Sequence, residues 1–460
     1  MKLLFTVLAA AAASALAAVP DARPPPSQRK FNSSAVEALI ASMRPRFLDA
    51  DLGTIFSNAL PNSLDTTIIA AGANDSYVIT GDIDAMWLRD STNEVLPYMA
   101  LAGADAALAQ MLRGVVMRQA RSVIIDPYAN AFNQAANGNG HQDDPRTPPM
   151  TKSVFEGKFE LDSLAAVLKS SWNYWANTHD DSLMREPEWL LAVDKIMDTI
   201  VLQQQSTDED GPNPAYTFAR PGSPAYPNAR AARCGLSKCG FRPSDDNTVL
   251  PFLVSANAMA AVELGHLAAM AATGTGARLA AIAQRAEALS EQLRAAVETV
   301  ARQSVAGFGV IYAYEVDGFG NYSVADDSNV PSLLSLPYLG YVERTDATYL
   351  ATRDFLLSTS NPYYYVGSVA SGIGSPHTPT GYIWPMAVAM QALTSTNDTE
   401  IATCLTYLTR SALATGFMHE SFDKDDATHY TRPWFAWANA VFGELILQLA
   451  KERPYLIFSS

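Results

Sequence analysis

Cysteine is scarce in this chain: three in 460 residues, Cys234, Cys239 and Cys404. A disulfide-stapled scaffold is therefore excluded, and an apolar core must hold the fold. Cys234 and Cys239 are near enough in sequence to close a local loop in an oxidising compartment, whereas Cys404 reads as a buried thiol on an apolar helix. Histidine is scarce too, at six. His377, His419 and His429 are scattered and spell out neither a zinc site nor a Ser-His-Asp triad. Positive charge is in deficit: 32 Lys and Arg against 47 Asp and Glu leave a net charge of -15. That disfavours nucleic acid and anionic membrane as partners and suits action on a neutral substrate. Beyond the first residues no apolar run is long enough to cross a bilayer.

The opening MKLLFTVLAAAAASALAAVP has a short basic n-region at Lys2, an apolar stretch from Leu3 to Ala13 and a small-x-small site at Ala15-Leu16-Ala17. This is the pattern of a secretory signal peptide over residues 1–17. The following DARPPPSQRK makes 18–30 a Pro-rich exposed linker, and 31–460 then forms one domain. Four Asn-x-Ser/Thr acceptors, Asn32, Asn74, Asn321 and Asn397, agree with a secreted glycoprotein.

Helical periodicity dominates what remains. Leu108, Met111, Val115 and Gln119 follow one stripe; Ile282, Ala286, Leu289, Leu293, Val297 and Val300 mark a long amphipathic helix. Thr273-Gly-Thr-Gly is a stop and restart before it. Leu161, Leu164, Val167 and Leu168 start a helix running towards Trp172 and Trp175. Near the C-terminus Trp434, Trp437, Val441, Leu445 and Leu449 share a face, with Thr431 as N-cap and Pro433 in the first turn. Strand patterns are few, the best being Ile311 to Val316. Long loops over 126–153, 206–250, 315–338 and 358–385 separate the helices, and loops of that length inside a domain are usually functional. The pattern predicts a single large all-α toroid.

Eight stretches in those connections mix carboxylates with aromatics, amides or arginine: TGDIDAMWLRDST (80–92), DPYANAFN (126–133), KFELDSL (158–164), CGFRPSDD (239–246), YAYEVDGFGN (312–321), ADDSNVPSLL (325–334), TGYIWPM (380–386) and HESFDKDDATHYTRPWFAWAN (419–439). Eight such loops suggest one shared cleft. A carbohydrate site needs this chemistry. Sugar C–H faces pack on rings, hydroxyls take charge-assisted hydrogen bonds, and glycosidic cleavage uses two carboxyls on opposite sides of the anomeric carbon.

Five segments, TGDIDAMWLRDST, FRPSDD, YEVDGFGN, NVPSLLSLPYLGY and HESFDKDD with TRPWFAWAN and FGELI, resemble glycoside hydrolase family 125. The resemblance runs in order from about Phe31 to the C-terminus. It implies an (α/α)6 barrel and a metal-independent, inverting, exo-acting α-1,6-mannosidase without cofactor. Mannose-containing glycans would be its substrates, and a secreted monomer is expected. Carried over, the general acid falls on Asp245 or Asp246 and the general base on Glu420. Trp87, Arg89 and Asp90 would hold the terminal sugar, with Asp84, Arg242, Trp384 and His419 as further pocket residues. Inversion predicts carboxyls roughly 6.5–9.5 Å apart.

Plainer roles compete at several positions. Ser244-Asp245-Asp246 would make a good helix N-cap with a charged first turn. Asp82, Asp84 and Asp90 are clustered oxygens without the spacing of a calcium loop; Asp82 and Asp84 are expected to shape the loop or hold Arg89. Trp434 and Trp437 read as core, Trp384 and Tyr382 as lining a subsite. Rival functions are another (α/α)6 carbohydrate-active enzyme, a polysaccharide lyase among them, and a non-catalytic mannose-binding protein. A lyase would want a basic cleft, which the charge balance opposes.

Overall fold

The computed structural model describes residues 18–459, so the expected leader 1–17 lies outside the described residues. Twelve α-helices of eight residues or more dominate it. They are α1 (Ser34–Met43), α2 (Ala50–Ala59), α3 (Leu88–Val95), α4 (Ala106–Ile125), α5 (Leu161–Thr178), α6 (Pro187–Leu202), α7 (Val254–Thr273), α8 (Ala277–Val300), α9 (Ala347–Leu356), α10 (Pro385–Leu393), α11 (Asp398–Ala412) and α12 (Ala436–Glu452). The strands among the described residues are two to four residues long and pair into sheets of two or three. None of the helices is long and apolar enough to cross a membrane.

Local sequence explains the long helices. The Asp105 carboxylate accepts from the N–H groups of Ala107 and Leu108 and starts α4. Leu108, Met111, Val115 and Gln119 are then buried on one stripe. Along α8, Ile282, Ala286, Leu289, Leu293 and Val297 are buried at the expected spacing. Helix α7 ends at Thr273 and α8 begins at Ala277, as Thr-Gly-Thr-Gly predicts.

Helix α5 packs on α3, α4 and α7, while α12 packs on α2, α3 and α10. Helices α6, α8 and α11 back onto α4, α7 and α10. An inner set (α3, α5, α7, α10, α12) is thus covered by an outer one, and a single apolar core runs through both. Where polar groups enter the inner set they find partners: the Tyr338 hydroxyl donates to Glu444 of α12 at 2.7 Å, and Lys169 of α5 donates to Tyr338 at 3.4 Å.

The inner helices share a way of starting. Trp87, Glu160, Leu253, Trp384 and Phe435 are extended residues placed immediately before α3, α5, α7, α10 and α12. Short ladders brace these starts. Met86–Trp87 pairs with Ala131–Phe132, Phe252–Leu253 with Glu315–Val316, and Tyr382–Ile383 with Phe422–Asp423. A few backbone hydrogen bonds thereby tie each long loop to a helix N-terminus.

Several expectations are corrected. Helix α12 begins at Ala436, so neither Thr431 nor Trp434 is part of it. Pro433 disfavours helical conformation at Arg432. The segment instead lies against residues 418–421, with Thr431 N–H donating to Ser421 O at 3.0 Å and Phe435 N–H to Met418 O at 2.9 Å. The strand expected from Ile311 to Val316 is broken into Gly309–Tyr312 and Glu315–Val316. All three cysteines are free: Cys239 is buried with its thiol on the Phe241 carbonyl at 2.8 Å, and Cys404 is buried as expected. Much of 18–30 is exposed, yet it is anchored: Val19 is buried, and Arg23 bonds both Asp65 (2.8 Å) and Glu37 (2.6 Å).

Candidate active site

A pocket of about 390 Å³, counted out to its mouth, opens among the N-termini of the inner helices. Its floor is Arg89 and Asp90 in the first turn of α3 and Trp437 in the first turn of α12, all buried. Its walls are Trp87, Trp384 and Phe435, the extended residues that precede α3, α10 and α12. Thr80, Asp245, Asn329, His377, Glu420 and Arg432 complete it. Because the partial positive ends of helices point here, carboxylates gathered at this place are stabilised.

Arg89 is the hub. Its Nη1 donates to Glu160 Oε2 at 2.6 Å and lies 3.4 Å from Asp162 Oδ2; its Nη2 reaches Asp90 Oδ2 at 3.1 Å and Asp245 Oδ1 at 3.3 Å. The guanidinium also sits over the Trp437 ring, 5.2 Å from its centre. Burial acts against its charge, but the surrounding carboxylates hold it firmly protonated. Burial pushes Asp90 and Asp162 up to about 6, against the pull of Arg89. Glu160, wholly buried as a side chain, is raised well above the carboxylate range by burial. Breaking such a buried set costs roughly 3–5 kcal/mol.

Asp245 is presented by a tight turn rather than by a helix. Asp245 N–H donates to Arg242 O at 2.9 Å, Arg242 N–H donates to Asp246 O at 2.8 Å, and Phe241 bridges to Asn247. The turn puts Asp245 in the left-handed region, φ 66°, where a non-glycine residue costs about 1–2 kcal/mol. Glu315 holds the turn from beneath: it is fully buried, and accepts from Arg242 Nε at 2.8 Å and from the N–H groups of Val249 and Leu250 at 3.0 and 3.1 Å. This explains the pairing of YEVDG with FRPSDD in one protein. Asn130 Nδ2 donates to Asp245 Oδ1 at 3.1 Å. Burial alone would raise Asp245, but Arg89 and Lys158 overcome it and hold the carboxyl well below its ordinary range.

Glu420 approaches from another part of the chain, just before the Phe422–Asp423 ladder. It is nearly buried, and its Oε1 lies 3.5 Å from Arg432 Nε, which also reaches Asp82 Oδ2 at 3.4 Å. Arg432 lies over Phe435, 5.2 Å from the ring centre. Gly81, at φ 116°, allows Trp434 to close on this side; a Cβ there would sit 2.8 Å from the indole.

Of the residues expected in the site, Trp87, Arg89, Asp90, Asp245, Trp384 and Glu420 line the pocket. Asp246 does not line it; its Oδ1 faces His377 Nδ1 at 3.3 Å, an interaction that raises the histidine. Three expectations are corrected. Asp84 is exposed, outside the lining. Arg242 is committed to Glu315 and lies beside Tyr314, beneath the turn. His419 is buried behind Glu420, stacked on Tyr430 at 4.0 Å and bonded to Arg432 O at 2.7 Å, and burial lowers it. Asp82 holds Arg432 rather than Arg89. Ser244-Asp245-Asp246 is no helix cap, since α7 starts only at Val254. Trp437 packs in the core and also reaches the pocket.

Residues missed by sequence reasoning are Asn130, Lys158, Glu160, Asn329, His377, Arg432 and Phe435. All but His377 fall inside stretches that stand out for mixing polar and aromatic residues. What singles them out is proximity across the chain.

Among the described residues, Thr80 Oγ1, Trp87 Nε1 and Trp437 Nε1 are buried with no hydrogen-bond partner in the protein. All three belong to the pocket lining. Buried polar groups are normally paired, so these are partners for a hydroxylated ligand between aromatic walls. With Asp245 and Glu420 brought together from positions 175 residues apart in the sequence, the pocket can hold a sugar and offer it two carboxyls.

Comparison with known proteins agrees with this chemistry. The family profile described as metal-independent alpha-mannosidase (GH125) matches residues 49–447. The meiotically up-regulated gene 157 protein of Schizosaccharomyces pombe is 43% identical, over 95% of this chain and 90% of its own length. A metal-independent α-mannosidase of Streptococcus pneumoniae, solved in a non-productive complex with α-1,6-mannobiose, superposes with a TM-score of 0.86 at 35% identity, covering 92% of this chain and all of the other. A bacterial glucoamylase complexed with acarbose shares the fold alone, with a TM-score of 0.55 at 13% identity over 86% of this chain and 55% of its own.

Proposed function

The chain belongs to the metal-independent α-mannosidase family GH125, and from that premise we propose that it is an exo-acting α-1,6-mannosidase working with inversion. The observation that carries this reading is the set of three unpartnered polar groups, Thr80 Oγ1, Trp87 Nε1 and Trp437 Nε1, that line an aromatic-walled pocket with the buried Arg89 and Asp90. A pocket of that kind takes one terminal sugar and leaves the rest of the glycan outside. The α-1,6 linkage is supported by the mannobiose held by the pneumococcal relative. The arrangement of inner and outer helices supports an (α/α)6 barrel, and the N-terminal sequence pattern supports export; a monomer is the expected state.

In this mechanism Asp245 protonates the glycosidic oxygen and Glu420 takes a proton from the attacking water. Asp245 is preferred to Asp246 because it lines the pocket and Asp246 does not. Arg432, 3.5 Å from Glu420, orients the base. Proton NMR of the products from defined mannobioses tests linkage and stereochemistry together. Release of β-mannose from the α-1,6 isomer is expected; α-mannose as the first product, or preference for another linkage, contradicts the reading. Glu420→Gln is expected to lower kcat by about 10²–10⁴-fold while mannose binding by calorimetry changes little. Retained turnover removes Glu420 from the base role.

A further inference from the structure

Glu420 is lightly held for a base. Among the described residues none hydrogen-bonds its carboxylate, and Arg432 Nε stands 3.5 Å from Oε1. Its position is therefore set by the backbone that carries it, residues 415–421. Some ties on that loop come from the pocket's own elements. His419 Nδ1 donates to Arg432 O at 2.7 Å, and Met418 N–H donates to Asn439 Oδ1 of α12 at 2.9 Å. Another runs to the start of the chain. Asn58, fully buried in the last turn of α2, donates through Nδ2 to Gly416 O at 3.1 Å and to Pro20 O at 2.9 Å. Its Oδ1 accepts from Ala22 N–H at 3.2 Å.

Both amide hydrogens and the amide oxygen of Asn58 are thus engaged, a demand that aspartate or leucine of similar size cannot meet. The fit is close. Gly416 follows α11 at φ 76°, its N–H on Ala412 O at 2.7 Å. A Cβ there would stand 2.6 Å from Asn58 Nδ2 and 2.8 Å from Pro20 O. The strap 19–22 is itself seated on α2: Val19 is buried, and its N–H donates to Asp51 Oδ1 at 3.1 Å.

We propose that Asn58 is a positioning residue for the reaction: it clamps the N-terminal strap 19–22 and the Gly416 turn onto α2, and so fixes the loop from which Glu420 projects. The proposal rests on Glu420 being the base. Asn58 and the strap stand outside the pocket lining, so they act only through the place of Glu420. A base must come within hydrogen-bond range of the proton it takes, and a shift of about 1 Å can cost about 10²-fold in rate. Sugar binding draws on other residues, Arg89, Asp90 and the aromatic walls, so kcat and not KM carries the effect. Removing Asn58 strands the buried Gly416 carbonyl and frees the strap together.

The test uses the full chain and α-1,6-mannobiose, with free mannose as the probe of sugar binding. Asn58→Ala should lower kcat by about 10–10²-fold. KM and the inhibition constant for mannose should stay within about threefold. Val19→Asp puts a second carboxylate beside Asp51 and unseats the strap without touching Asn58 or the Gly416 turn. It should lower kcat about three- to tenfold, and it decides the matter if Asn58→Ala fails to fold. Gly416→Ala should act as Asn58→Ala does, and the double variant should fall within about twofold of the slower single one, because both act at one contact. Gly114→Ala, on α4 against residues 72–76, gives the comparison at a similar loss of Tm and should keep kcat within about twofold. An unchanged kcat in Asn58→Ala, an equal loss in Gly114→Ala, losses that multiply in the double variant, or a loss confined to KM overturns the proposal. Turnover retained in Glu420→Gln overturns the base assignment and the proposal with it. An inactive Glu420→Gln beside a fully active Asn58→Ala overturns the proposal alone.

Discussion

At the scale of single residues the site is a set of compromises. Asp245 occupies a backbone region that glycine fills without cost. Asp245→Gly should therefore be more stable than Asp245→Ala by about 1 kcal/mol, both being inactive on mannobiose; chemical denaturation of the two variants measures this. Arg89 contacts four acidic neighbours at once. Arg89→Leu should destabilise by roughly 3–5 kcal/mol at pH 8. The sign with pH follows from Asp90 and Asp162, whose folded values lie above their ordinary one, at about 6. Without Arg89 both carboxyls lose the charge that holds them down, so the variant takes up protons at higher pH than the parent and the deficit shrinks as pH falls from 8 towards 6. Melting curves at pH 5 and pH 8 check it. Arg89, Asp90 and Glu420 were legible in the sequence because charged residues stand beside aromatics there. His419 and Arg242 looked equivalent and are not, because direction in space decides whether a polar side chain faces a pocket or supports it.

At the scale of elements, periodicity was enough to locate α4, α5 and α8, since each buries a regular stripe. The start of α12 was not legible: Thr431 and Pro433 make a good local cap, but pairing with residues 418–421 wins. The loop at 72–76 presses on Gly114 of α4, where a Cβ would stand 1.9 Å from the Gly72 carbonyl and 2.3 Å from Ser76 Oγ. Gly114→Ala should cost about 1–3 kcal/mol, read by denaturant midpoint. The anchor before α1 makes a similar demand. Arg23→Ala leaves buried Asp65 with Arg29 alone, 3.6 Å away, and should cost about 1.5–3 kcal/mol at neutral pH. Asp65 is raised by burial even with Arg23 present. The loss should therefore diminish on acidification, as protonation removes the buried charge; thermal melts across pH measure it.

At the scale of the molecule, the sequence displayed the site's ingredients but not their assembly. The carboxylate-rich loops stood out, and the excess of negative charge agreed with a neutral substrate. Which loops meet was set by helix order, which places residues 80, 87, 245, 384, 420 and 432 around one pocket. Exhaustive chelation should leave kcat/KM unchanged, because the acidic loop at 82–90 is occupied by Arg89 and Arg432; mannobiose assays with and without EDTA check this. The buried floor has a further consequence, for traffic. Arg89, Asp90 and Trp437 on the pocket floor are buried, so under the proposed exo action sugar and remaining glycan leave by the door through which they came. The longer fragment departs first and the trimmed sugar last. Under that proposed action a chain is shortened by repeated separate visits, and free mannose, arriving at that door in quantity, should slow the next one.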